Sequence, residues 1–470
     1  MRRTLPLLLL LLLIPLGPAR AGAAAPPPGA ISSNVEFIAN IPEMRTAISV
    51  NFLGDTMFVS TQTGLFAYSV ANPAAPSLLG ALPMHIWQNE DLDIDPVRKL
   101  AIISRDPRQA SGVPSGALPY GAIHIVDISM PQAMRLVGSF PMPAGHTSTC
   151  INGCTFLWTG GPLANATAQP AGWTGRPIYA TDITDPLNPV QCPEPIDTGR
   201  DDGVTAYAHD VQVDEMGIAW VSGQGGVRGY WTSGDHLNPL TGKMETATGC
   251  APIPYAGGGT PSEATPSRFM HNAWRDLDAT IPGEDDPATP GDDTKGQVLY
   301  ATEENISSAC SSSGRFATYD LRGSHQGQGW KDLAQTKFRL RVLDAWWPQG
   351  EAGGTGSGCA SAHYFEDRGD GILAYGFYGQ GTRFLDVSNP KDIRQIGYYR
   401  PDGSNVWGAS FHQGHVYVAD NARGIDILKF TGNPGDPAPP PPGPGASPSP
   451  EMSSLFGYMC VANDPGLTVG

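Results

Sequence analysis

Seven times along this chain a glycine opens a short run of alternating apolar and polar residues. The runs begin at Gly64 (GLFAYSV), Gly121 (GAIHIVDIS), Gly175 (GRPIYATDIT), Gly226 (GVRGYWTS), Gly314 (GRFATYDLR), Gly381 (GTRFLDVSNP) and Gly424 (GIDILKF). Period-two alternation bounded by turn residues is the pattern of a half-buried strand. A second strand precedes each run, as in TMFVS, GIAWVS and HVYVAD. An outer one follows most of them, as in LLGALPM from Leu78, MRLVGSFPM from Met134 and IRQIGYYRP from Ile393. Residues 209–231, HDVQVDEMGIAWVSGQGGVRGYW, carry the first three strands of one unit without interruption. The starting glycines are 43 to 88 residues apart. Repeats of roughly 40–50 residues with four strands each predict a β-propeller, here with seven blades. The longer spacings hold insertions, among them residues 276–296 and 350–358.

The rest of the chain agrees with an all-β fold. It has 58 Gly and 45 Pro in 470 residues and only 16% charged residues, with no long amphipathic helical pattern. That composition suits strands and turns better than a sheet with crossover helices. The seventh repeat lacks an outer strand, because after Phe430 the chain enters GNPGDPAPPPPGPGASPSP. Such a stretch cannot pair in a sheet. Near the other end, NVEFIANIP from Asn34 reads as a strand without a neighbour. It is predicted to complete the last blade, which would close the ring and remove an open edge.

The propeller is therefore expected over residues 34–431, followed by a Pro-rich linker (432–450) and a short tail (451–470). Residues 1–21 read as a secretory signal: Arg2 and Arg3, an apolar run centred on Leu7 to Ile14, and Ala19-Arg20-Ala21 as the cleavage site. Residues 22–33 read as a disordered leader. No later stretch is apolar enough to span a bilayer. The expectation is a secreted, periplasmic or cell-surface protein with no transmembrane segment after signal removal. The formal net charge of −16 argues against nucleic acid as a partner, since phosphate contacts need clustered Lys and Arg.

The third strands with their tails, HIVDISMPQ from His124, YATDITDPLNP from Tyr179 and FLDVSNPKD from Phe384, resemble the LVIVD repeat family, as do the second strands. The resemblance covers roughly residues 34–430 and implies a propeller fold. Repeats four, five and seven depart from the Asp-(Ile/Val)-Ser-Asn-Pro tail, so the tail carries no catalytic meaning. For repeats of this kind the base expectation is a binding module whose loop-covered face takes a protein, glycan or small-molecule ligand.

A second reading comes from the repeat register. In a propeller the first strand of every blade lines the central channel, so equivalent positions form a ring. Aligned on their second strands, His146 (HTSTCINGCTFLWT), His209 and His363 (HYFEDRGDGILAYG) coincide without gaps. His271 in FMHNAW opens the fifth repeat in the same way. Glu90 takes the place in the second repeat if one extra turn residue is allowed. The first and seventh repeats offer apolar residues near Ala47 and Val406. Several imidazoles with a carboxylate suit Fe, Mn, Zn or Cu. The arrangement is similar to propeller oxygenases and oxidases that hold an axial metal by several histidines. It predicts a metal-dependent enzyme, an oxidoreductase before a hydrolase. The alternative is structural, with each histidine bonding the backbone of the next blade. Turns after the second strands face the same mouth, and there Glu304 and Gln224 are candidates to orient the ring histidines.

Of seven cysteines, Cys150 and Cys154 bracket Asn152-Gly153 and are placed to bridge a hairpin, and Cys310 with Cys359 are candidates to staple loops over the mouth. No C-x-x-C pair, nucleophile elbow or phosphate-binding loop is present.

Overall fold

The computed structural model describes residues 28–84, 86, 89–106, 121–161, 177–196, 208–223, 226–259, 268–283, 295–305, 314–321, 340–348 and 361–442. It is an all-β, seven-bladed propeller. Blade 1 is Ala47–Leu53, Thr56–Thr61, Gly64–Ser69 and Ser77–Pro83, paired antiparallel in that order. The innermost strands of the six later blades are Leu92–Asp95, Thr147–Ile151, Ala208–Val213, Arg268–Asp276, Phe365–Asp367 and Val406–His412. The described parts of the seven repeated glycine runs supply the third strands, as the alternation predicts.

The ring closes through the N-terminal segment. Val35–Ile41 pairs antiparallel with Gly424–Phe430, from Val35 opposite Phe430 to Ile41 opposite Ile425. The orphan strand thus supplies the missing outer strand of blade 7. Gly29–Ile31, assigned to the leader from sequence, adds a short fifth strand to blade 6 against Arg394–Pro401. Blade 4 carries a further difference. A separate hairpin, Gly234–Asn238 with Lys243–Ala247, is inserted before its outer strand Ile253–Gly259.

The core lies between the blades. Each pair of consecutive blades encloses an apolar layer, as with Phe58 and Leu65 against Ala101 and Ile103 between blades 1 and 2. Trp158 meets Val211 and Val221 between blades 3 and 4, and Trp220 meets Leu299 and Tyr319 between blades 4 and 5. The last layer, Tyr417 and Ile425 against Met57 and Val59, seals blade 7 to blade 1. With the apolar surface spent between blades, the innermost strands are left to turn polar side chains toward the axis.

Two disulfides are formed among the described residues. Cys150–Cys154 bridges the first hairpin of blade 3, as the sequence suggests. Cys192–Cys250, which sequence spacing does not reveal, ties the outer strand of blade 3 to the approach of blade 4's outer strand across 58 residues. Cys310 and Cys359 lie outside the described residues. Among the described residues no helix is long and apolar enough to cross a membrane.

Candidate metal centre

The ring positions are built by a local irregularity at the start of the innermost strands. Pairing with the second strand skips a residue between Ala208 and Asp210 and slips between Met270 and Ala273. His209 and His271 therefore sit in bulges, which re-aim a side chain out of the pleat. Blades 1 and 7 have the same break, and it presents Ile48 and Trp407. These are the apolar members of the ring, one residue beyond Ala47 and Val406. His146 and His363 stand just before their strands, each bonded by its amide to the end of its own second strand (3.2 Å to Gly160 O and 3.1 Å to Gly376 O). Backbone approach is close here. Gly161, at φ 108°, leaves no room for a side chain, since a Cβ there would lie 2.2 Å from the Cβ of His146.

These elements bring Glu90 and four imidazoles together. The Glu90 carboxylate lies 3.0 Å from His146 Nε2 and 3.7 Å from His363 Nε2 through Oε1. Through Oε2 it lies 3.0 Å from His271 Nε2 and 3.5 Å from His209 Nε2. His146 Nε2 and His209 Nε2 are themselves 3.0 Å apart. Ligand atoms of Glu90, His209 and His271 all fall within 4.8 Å of one another, a group that could hold a metal ion. All five side chains are buried.

The outer nitrogens fix how two of the rings present themselves. His146 Nδ1 lies 2.8 Å from Asp106 Oδ2, and His363 Nδ1 lies 2.8 Å from the Trp407 carbonyl. Carboxylates and carbonyls only accept, so both Nδ1 atoms carry the proton. In the neutral ring each Nε2 is then a lone pair pointing inward. His363 Nε2 is fully buried and has no hydrogen-bond partner among the described residues. A lone pair facing a carboxylate is repulsive, and a cation on that line removes the repulsion.

A proton is a poor candidate for that cation at the neighbouring rings. Burial, reinforced by His271, holds His209 well below its ordinary value. Burial and then His363 bring His271 down to about 3. Burial alone would raise Glu90, but His146, His363 and His209 reverse this and hold it well below the usual carboxylate range. The arrangement sets a carboxylate held in its anionic form beside two imidazoles, His209 and His271, that burial keeps neutral, the charge states in which such groups ligate.

Glu304 reaches the same place from the second strand of blade 5. Its Oε2 is 4.0 Å from His271 Nε2, its Oε1 accepts a hydrogen bond from the Tyr378 hydroxyl, and burial raises its pKa. Gln224 lies outside the described residues. The sequence does not mark Tyr378 as a neighbour of this ring. It follows the second strand of blade 6 in the run FYGQG, a place equivalent to the polar turns of other blades, and its ring centre is 5.0 Å from that of His363. Its φ of 38° is unusual for a bulky residue and marks a held conformation.

No family model matches the chain, and no curated protein matches it. Among solved structures it is similar to the periplasmic gluconolactonase of Pseudomonas aeruginosa, at 13% identity over 83% of this chain and 97% of that chain, with a TM-score of 0.49. A likeness at that level bears on neither activity nor ligand.

Proposed function

We propose that this chain is an exported metalloenzyme of the oxidoreductase class. In this reading His146, His209, His271 and His363 hold one transition-metal ion with Glu90. One observation carries it: the Nε2 atoms and the Glu90 oxygens are spaced as the corners of a coordination shell. Two donors about 2.1 Å from an ion and at right angles stand about 3.0 Å apart. That is the separation of His146 Nε2 from His209 Nε2 and of Glu90 from His146 and His271.

Fe, Mn and Cu fit this donor set as well as Zn does. When bound, a redox metal would supply electron transfer or activate O₂, and zinc would supply hydroxide. The protein's own part is to keep the rings deprotonated inward through Asp106 and the Trp407 carbonyl, and to hold Glu304 beside the centre through Tyr378. Export is supported by the signal-like leader and by two disulfides, which oxidising compartments permit. The alternative, a binding module of the LVIVD kind acting through its loop face, places its function on loops that largely lie outside the described residues.

Metal analysis of untagged protein is the test. The expected result is about one transition metal per chain, lost in His363→Ala and His209→Ala with the fold retained. Less than about a tenth of an equivalent after reconstitution would exclude the metalloenzyme reading.

A further inference from the structure

Beneath the centre the channel widens into a cavity of about 440 Å³ with Glu90 at its inner end. The innermost strands run from the histidine ring toward the hairpins on the opposite face. Residues that follow Glu90 and His363 therefore descend along the wall, about 3.3 Å per residue. Four of them are acidic: Asp91 and Asp93 from blade 2, Glu366 and Asp367 from blade 6. Among the described residues no lysine, arginine or histidine lines the cavity.

The carboxylates are fixed in place by neighbouring strands. Asp91 accepts from the Thr149 hydroxyl at 2.7 Å, Asp93 from the Cys150 amide at 2.5 Å, and Glu366 from the Phe411 amide at 3.2 Å. Asp93, Glu366 and Asp367 are half-buried, whereas Glu90 is 2% exposed, so carboxyl groups continue from solvent to the centre. At the inner end His363 Nε2, fully buried and without a hydrogen-bond partner among the described residues, faces Glu90. On the far side of the ring, Asp106, Glu304, Tyr378 and Trp407 are all buried.

We infer that this cavity is the loading route by which a hydrated divalent cation reaches Glu90 from the hairpin face. The inference rests on the metal reading above and adds a direction and a mechanism to it. A low-dielectric cleft lined by one sign of charge concentrates the counter-ion and raises its rate of capture. At about 30 Å³ per water, the volume holds an ion with its first hydration shell and several further waters. Asp93 and Glu366 steer the ion and are not its final ligands.

The test is the rate of Co(II) uptake by chelator-stripped protein, followed by visible absorption with metal analysis at the end. Burial raises Asp93 to about 6 and Glu366 to about 7, so uptake is measured at pH 8, where both are ionised. The double variant Asp93→Asn/Glu366→Gln is expected to reach wild-type stoichiometry roughly tenfold more slowly at low ionic strength. The difference should shrink in high salt, where long-range attraction is screened. If the double variant does not fold, the single variants serve, each slowing uptake by a smaller factor. Equal rates in folded variants and wild type would overturn the route alone. No Co(II) uptake by the wild type would overturn the route together with the metal centre.

Discussion

Asp106 does for His146 what the Trp407 carbonyl does for His363: it accepts the Nδ1 proton and leaves Nε2 aimed at Glu90. Only the first of these can be altered by substitution. Asp106→Asn keeps the shape but can offer its amide N–H to Nδ1, which favours the wrong tautomer. Outer partners of ligating histidines are worth about 10–100-fold in metal affinity. A loss of that size is expected in competition with a chromogenic chelator, while the metal-free variant folds normally. Wild-type affinity would mean that His146 needs no such anchor. At this scale the sequence was informative where chemistry repeats with the fold. The convergence of His146, His209, His271 and His363 on Glu90 is legible because ring-equivalent positions in a propeller must meet at its axis. Glu304 stands in a turn recognisably on the same face. Tyr378 did not declare itself, since an aromatic next to Phe377 reads as the end of an apolar strand. A backbone acceptor such as Trp407 O leaves no mark in a sequence at all.

Among the elements, the closing strand Val35–Ile41 has the most to answer for. Val35, Ala39 and Ile41 are buried against blade 7 and its neighbours, and Gly424–Phe430 would be an open edge without them. Burying two such aliphatic side chains is worth about 1.5–3 kcal/mol each. Removing residues 28–41 is therefore expected to cost on the order of 5 kcal/mol, read as a lowered urea midpoint. It should also produce oligomers on size exclusion, because an unpaired edge recruits other strands. A monomer of unchanged midpoint would show that closure by this strand contributes little. The strand was legible because it alternates and lacks a local partner. Other elements were hidden for physical reasons. Gly29–Ile31 is too short to show a period. In the hairpin Gly234–Asn238/Lys243–Ala247, exposed residues such as Leu237 and Met244 alternate with polar ones without a buried face to set the pattern. The Cys192–Cys250 pairing depends on two blades meeting in space, which spacing along the chain does not encode.

For the molecule as a whole, acidity is both a surface and an interior property. Glu366, Asp367 and Asp420 are raised to about 7 and Asp93 to about 6, with burial the main cause in each. Between an ordinary carboxylate value near 4 and the raised one, each keeps in the folded chain a proton that the unfolded chain has released. The folded state then binds more protons, so these groups make stability fall as pH rises. His209 and His271 act in the opposite sense. They stay neutral when folded but take up protons when unfolded below about 6.5, so they make stability fall as pH drops. Above that value the histidines are neutral in both states, while the carboxylates at about 7 are still titrating. The carboxylates therefore set the sign from pH 6.5 to 8, each contributing up to roughly 1.4 kcal/mol per pH unit while it titrates. Chelator-treated protein is expected to show a lower urea midpoint at pH 8 than at pH 6.5, and an equal or higher one would contradict this assignment of buried charge. Saturating divalent metal should narrow the gap. An ion that binds only the folded, deprotonated site adds most stability where its ligands have already lost their protons.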